Sequence, residues 1–263
     1  MQLKFNPLSV GAMTSGSQRT RVRTESWFAK FGYCLRCTSD KLEATKPNTP
    51  ACDFICPICD APYELKSGAG RLGLKVVDGA FDAMMRGIRG GRAPNLLFLR
   101  YSIEAKGAAN EAWSVDALTA LHSVFLTPMI VEKRAPLAAT ARRAGWVGCN
   151  LLLSRVPDDG RIALIRDGVA TARTEARRLY ALSERFEELK PKERGWSALV
   201  LSFVRKLGKE HFTTNDILRF EPEMHAVYPD NSHKREKVRQ QLQVLMRLGY
   251  IDRTAPSEYR VLL

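Results

Sequence analysis

The sequence has 263 residues, and 45% of them are hydrophobic, which is enough to bury a sizeable core and excludes a disordered chain. Lysine and arginine outnumber aspartate and glutamate by 41 to 28, and the formal charge of +13 favours a nucleic-acid partner, although a basic scaffold protein would share it. No apolar run reaches the length of a membrane span or a secretory signal, so we expect a bacterial-type cytoplasmic, nucleoid-associated protein without a membrane partner.

The first elements along the chain lead into a cysteine-bearing hairpin. A helix is predicted over 17–33, because apolar residues recur on one face behind polar capping candidates. Two short strands, 51–56 and 62–67, flank a tight turn and predict the hairpin. A helix over 76–88 and a buried strand over 94–102 are expected next.

The remaining elements predict a second, helical domain. A helix and a strand fit 114–131, and a strand over 161–168 closes the first domain. Three predicted helices, 196–207, 214–220 and 233–248, then precede a two-stranded hairpin, which is the winged-helix pattern. The expected architecture is therefore α/β (α+β), with a catalytic domain over 1–183, a linker over 184–194 and a winged-helix DNA-binding domain over 195–263.

Two cysteine pairs have the spacing of a structural zinc site. The predicted ligands are Cys34, Cys37, Cys56 and Cys59, two C-x2-C pairs separated by 18 residues. Four thiolates suit tetrahedral zinc and leave no open position for catalysis. A redox dithiol and an iron–sulfur cluster are the alternatives. The remaining Cys52 and Cys149 are interpreted as core thiols.

The same hairpin carries residues suited to phosphodiester hydrolysis. Side chains alternate along a strand, so Glu64 and Lys66 share one face, with Asp53 on the neighbouring arm. Hydrolysis needs charge neutralisation and an activated water, which magnesium held by carboxylates supplies. We predict that Asp53, Glu64 and the carbonyl of Leu65 bind magnesium and that Lys66 orients the water. A solvated strand edge is the alternative interpretation.

Two basic segments are predicted to contact DNA. Arg142 and Arg143 lie beside Trp146, a combination that can hold phosphate and stack on a base; a buried tryptophan with two solvated arginines is the alternative. The last long helix buries an apolar stripe and can offer its other faces to a major groove, although a solvated charged face would look the same. Its predicted DNA contacts are His233, Lys234, Arg235, Lys237 and Gln241.

Several segments, taken together, resemble one family. They are YCLRC, ACDFIC, ICPIC, ELKS, PLAATARRAGWVGCN, VPDDGRI and KREKVRQQLQVL. They are similar to the DpnI-like, methyl-directed GATC restriction endonucleases, also called Dam-replacing proteins. The similarity covers nearly the whole chain, and Asp53, Glu64 and Lys66 stand where the family pattern has its catalytic residues.

The resemblance implies a PD-(D/E)XK nuclease domain that contains the zinc site and is joined to a winged helix. It implies that both domains recognise duplex DNA carrying N6-methyladenine in GATC, and it assigns Trp146 to a methyl-sensing pocket. We accordingly expect a type II, methylation-dependent restriction endonuclease that uses magnesium and is a monomer in solution. A non-cleaving methyl-DNA reader or transcription regulator with zinc is the alternative, and an RNA-processing zinc-ribbon nuclease a third.

Overall fold

The computed structural model describes residues 2–5, 15–46, 49, 51–104 and 111–262. Its α-helices are α1 (Gly16–Phe31), α2 (Phe81–Arg89), α3 (Arg173–Glu184), α4 (Pro191–Leu207), α5 (Thr214–Leu218), α6 (Glu221–Val227) and α7 (Lys234–Arg247). Its strands are β1 (Glu43–Ala44), β2 (Phe54–Ile55), β3 (Pro62–Ala69), β4 (Lys75–Ala80), β5 (Asn95–Glu104), β6 (Ala112–Leu121), β7 (Val131–Lys133), β8 (Gly148–Leu152), β9 (Arg161–Arg166), β10 (Val169–Ala170), β11 (His211–Thr213), β12 (Ile251–Ala255) and β13 (Glu258–Val261). None of the described helices is long and apolar enough to cross a bilayer.

The chain divides into two compact units that do not follow its linear order. The first unit comprises Met1–Gly73, Arg92–Ser123 and Asp159–Glu184. The second comprises Leu74–Gly91, Val124–Asp158 and Arg185–Leu263. The domain bounds expected from the sequence, 1–183 and 195–263 with a linker over 184–194, stay a prediction.

The first unit is built on a seven-stranded sheet with the order β1-β2-β3-β5-β6-β9-β10. The strands β3 and β5 run parallel, and the other described neighbours in this sheet run antiparallel. Central β5 is apolar on both faces, because Leu96–Leu99 is at most 1% exposed along its whole length. The strand that carries Glu64 and Lys66 therefore lies directly beside the most deeply buried strand.

Helices α1 and α3 contribute to one core with the sheet of the first unit. Trp27 and Phe28 from α1 share a buried cluster with Leu97 and Leu99 of β5 and with Tyr180 of α3. Leu65 of β3 packs against the same cluster, and the hydroxyl of Thr24 in α1 is hydrogen-bonded to that of Ser67 at 3.1 Å. Because side chains alternate along β3, Glu64 and Lys66 point away from this core.

The second unit contains two three-stranded sheets, β4-β8-β7 and β11-β13-β12. The second of these sheets combines with α4, α5, α6 and α7 in the winged-helix arrangement, in which α7 packs against α4 and α5. Helix α5 begins with a capping box, because the hydroxyl of Thr213 accepts a hydrogen bond from the Asp216 N–H while the Asp216 carboxylate accepts one from the Thr213 N–H. The mixed α/β class and the C-terminal helix-turn-helix are confirmed.

One predicted helix is correct over only part of its length, and another is wrong. The predicted helix over 76–88 splits into β4 and α2, because Val76 and Val77 pair with β8 before the helix starts at Phe81. The predicted helix and strand over 114–131 are strand β6 followed by short 3-10 turns. In β6, Trp113, Val115 and Leu118 are buried. The apolar residues of this segment were interpreted as one face of a helix, but they form the buried positions of a strand.

Candidate cleavage site and metal centre

The β2–β3 hairpin places Asp53 beside Glu64. Phe54 pairs with Tyr63 in the antiparallel register, and the Asp53 N–H donates to the Tyr63 carbonyl at 2.9 Å, which extends the ladder by one residue. One carboxylate therefore lies at the start of each arm of the hairpin. The pairing predicted between 51–56 and 62–67 is confirmed.

Short polar contacts join Lys66 to Glu64 and join Asp53 to the backbone of the intervening Leu65. Lys66 Nζ donates to Glu64 Oε1 at 2.8 Å, as expected for residues two apart on one face of a strand. Asp53 Oδ2 accepts the Leu65 N–H at 2.8 Å. The side chains of Asp53, Glu64 and Lys66 are 19%, 20% and 16% exposed, so they are partly desolvated but still reachable. The structure thus brings them to one place.

The backbone carbonyl of Leu65 is placed where it could serve as a ligand of a cation. In a strand, the N–H and C=O of one residue point toward the same neighbouring strand. Since the Leu65 N–H reaches Asp53, its carbonyl oxygen lies on that same side of β3. Two carboxylates and a carbonyl are the hard oxygen ligands that magnesium prefers, so these residues fit that ion. Their roles as ligands stay a prediction.

Arg21 of α1 also reaches this site, and the sequence analysis missed it. Its Nη2 lies 3.5 Å from Asp53 Oδ1, and its Nε forms an ion pair with Glu25 at 2.6 Å. A cleft of about 560 Å³ opens beside these residues, between α1 and the segment carrying Thr45 and Lys46. The i,i+4 spacing of Arg21 and Glu25 was visible in the sequence, but nothing in it linked that pair to Asp53.

The four predicted zinc ligands converge. Cys34, Cys37, Cys56 and Cys59 place their sulfur atoms within 4.8 Å of one another. The Cys34–Cys59 and Cys37–Cys56 sulfur distances are 3.6 and 3.5 Å. A tetrahedron of sulfurs with zinc–sulfur bonds of about 2.3 Å has edges of about 3.8 Å. The cluster is therefore compatible with zinc, and the two cysteines outside it lie elsewhere: Cys149 is buried and Cys52 is partly buried beside Asp53.

Backbone hydrogen bonds support thiolates in this cluster. The Ser39 N–H donates to Cys37 Sγ at 3.5 Å, and the Ile58 N–H donates to Cys56 Sγ at 3.4 Å. Burial would raise the pKa of the Cys56 thiol, but hydrogen bonds from the backbone of Cys59 and Ile58 outweigh it and hold that pKa below its usual value. These N–H groups favour the charged sulfur that a metal requires.

Tyr63 connects the cysteine cluster to the cleavage site. Its buried hydroxyl lies 3.4 Å from Cys34 Sγ and accepts the Leu35 N–H at 3.0 Å. Its backbone carbonyl accepts the Asp53 N–H, and Glu64 follows it directly in β3. The cluster therefore braces the hairpin on which both carboxylates stand.

Two family models match the chain. The Dam-replacing family matches residues 1–188, and the Dam-replacing HTH domain matches residues 192–261. The chain belongs to the Dam-replacing family. The resemblance recognised in the sequence is thereby confirmed, and membership indicates a restriction nuclease with a DNA-binding HTH domain.

The loop of this Dam-replacing protein that joins β7 to β8 presents the predicted arginine–tryptophan segment. The Leu137 N–H donates to the Trp146 carbonyl at 2.9 Å, which holds the base of the loop as a hairpin. Arg143 lies over the Trp146 ring, 4.6 Å from its centroid, while Arg142 is exposed. A Cβ on Gly148 would come within 2.8 Å of the indole, so glycine lets Trp146 lie flat on the backbone. Arg143 and Trp146 therefore form one partly exposed patch, and Arg142 is next to Arg143 in the same loop.

In the HTH domain, α7 and its N-cap residue expose two of the five predicted DNA contacts, and two more are half-buried. His233 and Arg235 are exposed, and Arg235 Nη2 donates to Asn215 Oδ1 at 3.2 Å. Lys234 and Lys237 are half-buried; Lys234 Nζ donates to the Asn231 carbonyl, and Lys237 Nζ donates to Gln240 Oε1 at 2.8 Å. The helix also exposes Arg239 and Gln240, which the sequence analysis left out.

The prediction that Gln241 contacts DNA is wrong. Its side chain is 0% exposed, and its Oε1 accepts a hydrogen bond from the buried Ser197 hydroxyl of α4 at 2.6 Å. Gln241 stands three residues after Val238 and four before Leu245, so it belongs to the buried, otherwise apolar stripe of α7. This spacing was the signal that could have placed it correctly.

Substituting Gln241 and Arg235 should separate packing from DNA binding. Gln241→Leu leaves the Ser197 hydroxyl without its acceptor, so we expect unfolding free energy to fall by about 1–2 kcal/mol with DNA affinity unchanged. Arg235→Ala should weaken DNA binding about fivefold and alter stability by less than about 0.5 kcal/mol. Thermal unfolding and gel shift measure the two effects. Lost DNA affinity in Gln241→Leu at unchanged stability would restore the original prediction.

Proposed function

We propose that this chain is a type II, methylation-dependent restriction endonuclease that hydrolyses double-stranded DNA at GATC sites containing N6-methyladenine. The observation that carries the proposal is the convergence of Asp53, Glu64 and Lys66 on one hairpin. Family membership supplies the substrate class, and the HTH domain supports a duplex DNA partner. The chain order, in which Asp53 is followed by Glu64-Leu65-Lys66, corresponds to the pattern of a PD-(D/E)XK nuclease site.

The residues of the site divide the chemical work. Asp53, Glu64 and the Leu65 carbonyl hold the cation, and their oxygen donors suit magnesium better than zinc. Bound magnesium supplies charge neutralisation and a more acidic water. Lys66 Nζ orients the attacking water toward phosphorus and screens the negative charge that develops on the phosphate oxygens. Zinc at the four cysteines has a structural role, since four thiolates leave no open position.

The segment around Trp146 is proposed to recognise the methyl group of the base. The methyl group of N6-methyladenine adds an apolar feature at the major-groove edge of the base. The flat, partly exposed indole over Gly148 offers an apolar wall of the right kind, with Arg143 over its ring and Arg142 next to Arg143 in the loop for phosphate or guanine. One methyl group contributes only about 0.8 kcal/mol, so a second reader in the HTH domain would be needed for strong discrimination.

Digestion of defined duplexes tests the proposal. Purified protein is incubated with magnesium and GATC duplexes that carry the adenine methyl group on both strands, one strand or neither. We expect cleavage of the doubly methylated duplex and none of the unmethylated one. Cleavage of all three at one rate would contradict the methyl dependence. Binding without cleavage after long exposure to magnesium would identify a non-cleaving methyl-DNA reader instead.

A further inference from the structure

A second basic side chain, in addition to Lys66, lies on the face of the sheet that carries the proposed cleavage site. Gly68 follows Glu64 and Lys66 in β3 at steps of two residues, so all three positions face the same side. In the parallel register, Gly68 pairs with Arg100 of β5. The position next along the strand from the catalytic lysine is therefore occupied by an arginine from the neighbouring strand.

Glycine at position 68 makes room for this arginine. A Cβ on Gly68 would come within 2.2 Å of Arg100 Nη1 and within 3.4 Å of its Cζ. The guanidinium therefore lies directly over the Gly68 backbone, in the volume that any other side chain would fill. No positive φ requires a glycine there, so the close approach of Arg100 is the physical reason for it.

Arg100 has no counter-charge among the residues that the structure describes. Its Nε is buried without a hydrogen-bond partner, and burial lowers the pKa of the group. Two other partly buried cations of the first unit do have a carboxylate partner: Lys66 pairs with Glu64 at 2.8 Å, and Arg23 pairs with Glu111 at 3.0 Å. A partly buried guanidinium without an acceptor is costly, so the position of Arg100 needs an explanation.

We propose that Arg100 binds a DNA backbone phosphate adjacent to the one that is cut. This inference rests on the proposed function, because the cut phosphate is the one next to Asp53, Glu64 and Lys66. Gly68 lies about 7 Å beyond Lys66 along the strand, comparable with the step from one phosphate to the next. The planar guanidinium donates two parallel hydrogen bonds to a phosphate, which supplies the missing counter-charge. Arg100 thereby sets the position of the strand on the sheet.

The test measures binding without cleavage. GATC duplexes methylated on both strands carry one neutral methylphosphonate at a time along one strand, and affinity is measured with calcium in place of magnesium. The parent protein should lose affinity at several phosphates. Arg100→Ala should bind the unmodified duplex on the order of tenfold more weakly. It should also lose sensitivity at one phosphate, next to the cut one, while keeping sensitivity at the others.

Further variants guard against a folding defect. Gly68→Ala keeps the arginine but pushes the guanidinium away, so it should lose sensitivity at the same phosphate; Gly16→Ala, where a Cβ meets nothing within 4 Å, is its control. Arg166→Ala removes one exposed arginine and should lose no position-specific sensitivity. Parental affinity in Arg100→Ala, or lost sensitivity at the cut phosphate itself, would overturn the inference. A parent that binds but never cuts with magnesium would overturn the proposed function; sensitivity lost at a single phosphate in Arg100→Ala would still assign Arg100 to the DNA backbone, since that pattern is read from binding.

Discussion

Lys66→Met is expected to slow the cleavage of adenine-methylated plasmid by roughly two to three orders of magnitude. Methionine keeps the length of the side chain but removes the ammonium that donates to Glu64 at 2.8 Å. The attacking water would lose its orienting group, and the charge developing on the phosphate would lose a neighbouring cation. The measurement is the single-turnover cleavage rate with saturating enzyme and magnesium, which separates the chemical step from DNA binding.

Two comparisons make the Lys66 result specific. Lys41→Met removes an exposed lysine of the same unit and should cut at the parental rate. Gel shift with calcium should show that Lys66→Met still binds methylated DNA within a few fold of the parent. If Lys66→Met cleaves as fast as the parent, the role assigned to this lysine is wrong.

Cys56→Ser is expected to lose bound zinc and to lower the free energy of unfolding by about 4 kcal/mol. For a chain of this size, the melting temperature should fall by about 10 °C. The reason is local: the four sulfur atoms lie within 4.8 Å, and without a cation their charges repel or they must be protonated. Elemental analysis of the purified protein and thermal unfolding measure the two effects.

Cys52→Ser is the matched control for the zinc experiment. Cys52 lies on the same hairpin but outside the cluster, so its substitution should leave the zinc content unchanged. Treatment of the parent with a strong zinc chelator should reproduce the melting behaviour of Cys56→Ser. A Cys56→Ser protein with a full zinc content and parental stability would contradict the structural role of this cluster.

The local constellations were predictable because their spacing is short. The pair Cys56 and Cys59 and the Glu-x-Lys motif lie on one hairpin, where alternation of side chains and the tight turn limit the possible geometry, and Cys34 and Cys37 complete a known zinc-site spacing. Cys34, Cys56 and their partners therefore converge as the pattern indicated. The association of Asp53 with Glu64 followed from the same argument.

What the sequence analysis missed depends on distant parts of the chain. Arg21 of α1 lies 32 residues before Asp53, and Arg100 lies 32 residues after Gly68, so each pair meets only in the folded protein. Strand β4 was mistaken for part of a helix, because its pairing partner β8 is some seventy residues away along the chain. Gln241 was misjudged for a different reason: its polar side chain concealed its place in an apolar stripe.

The parallel pairing of β3 with β5 has a consequence for how the protein is made. The crossover between them, residues 70–94, contains β4 and α2, and most of it belongs to the second compact unit. The chain passes between the units repeatedly before its last long segment, so neither can be excised by one cut or completed on the ribosome before the other begins. The seven-stranded sheet that carries the proposed cleavage site thus stays unfinished until synthesis has passed β10.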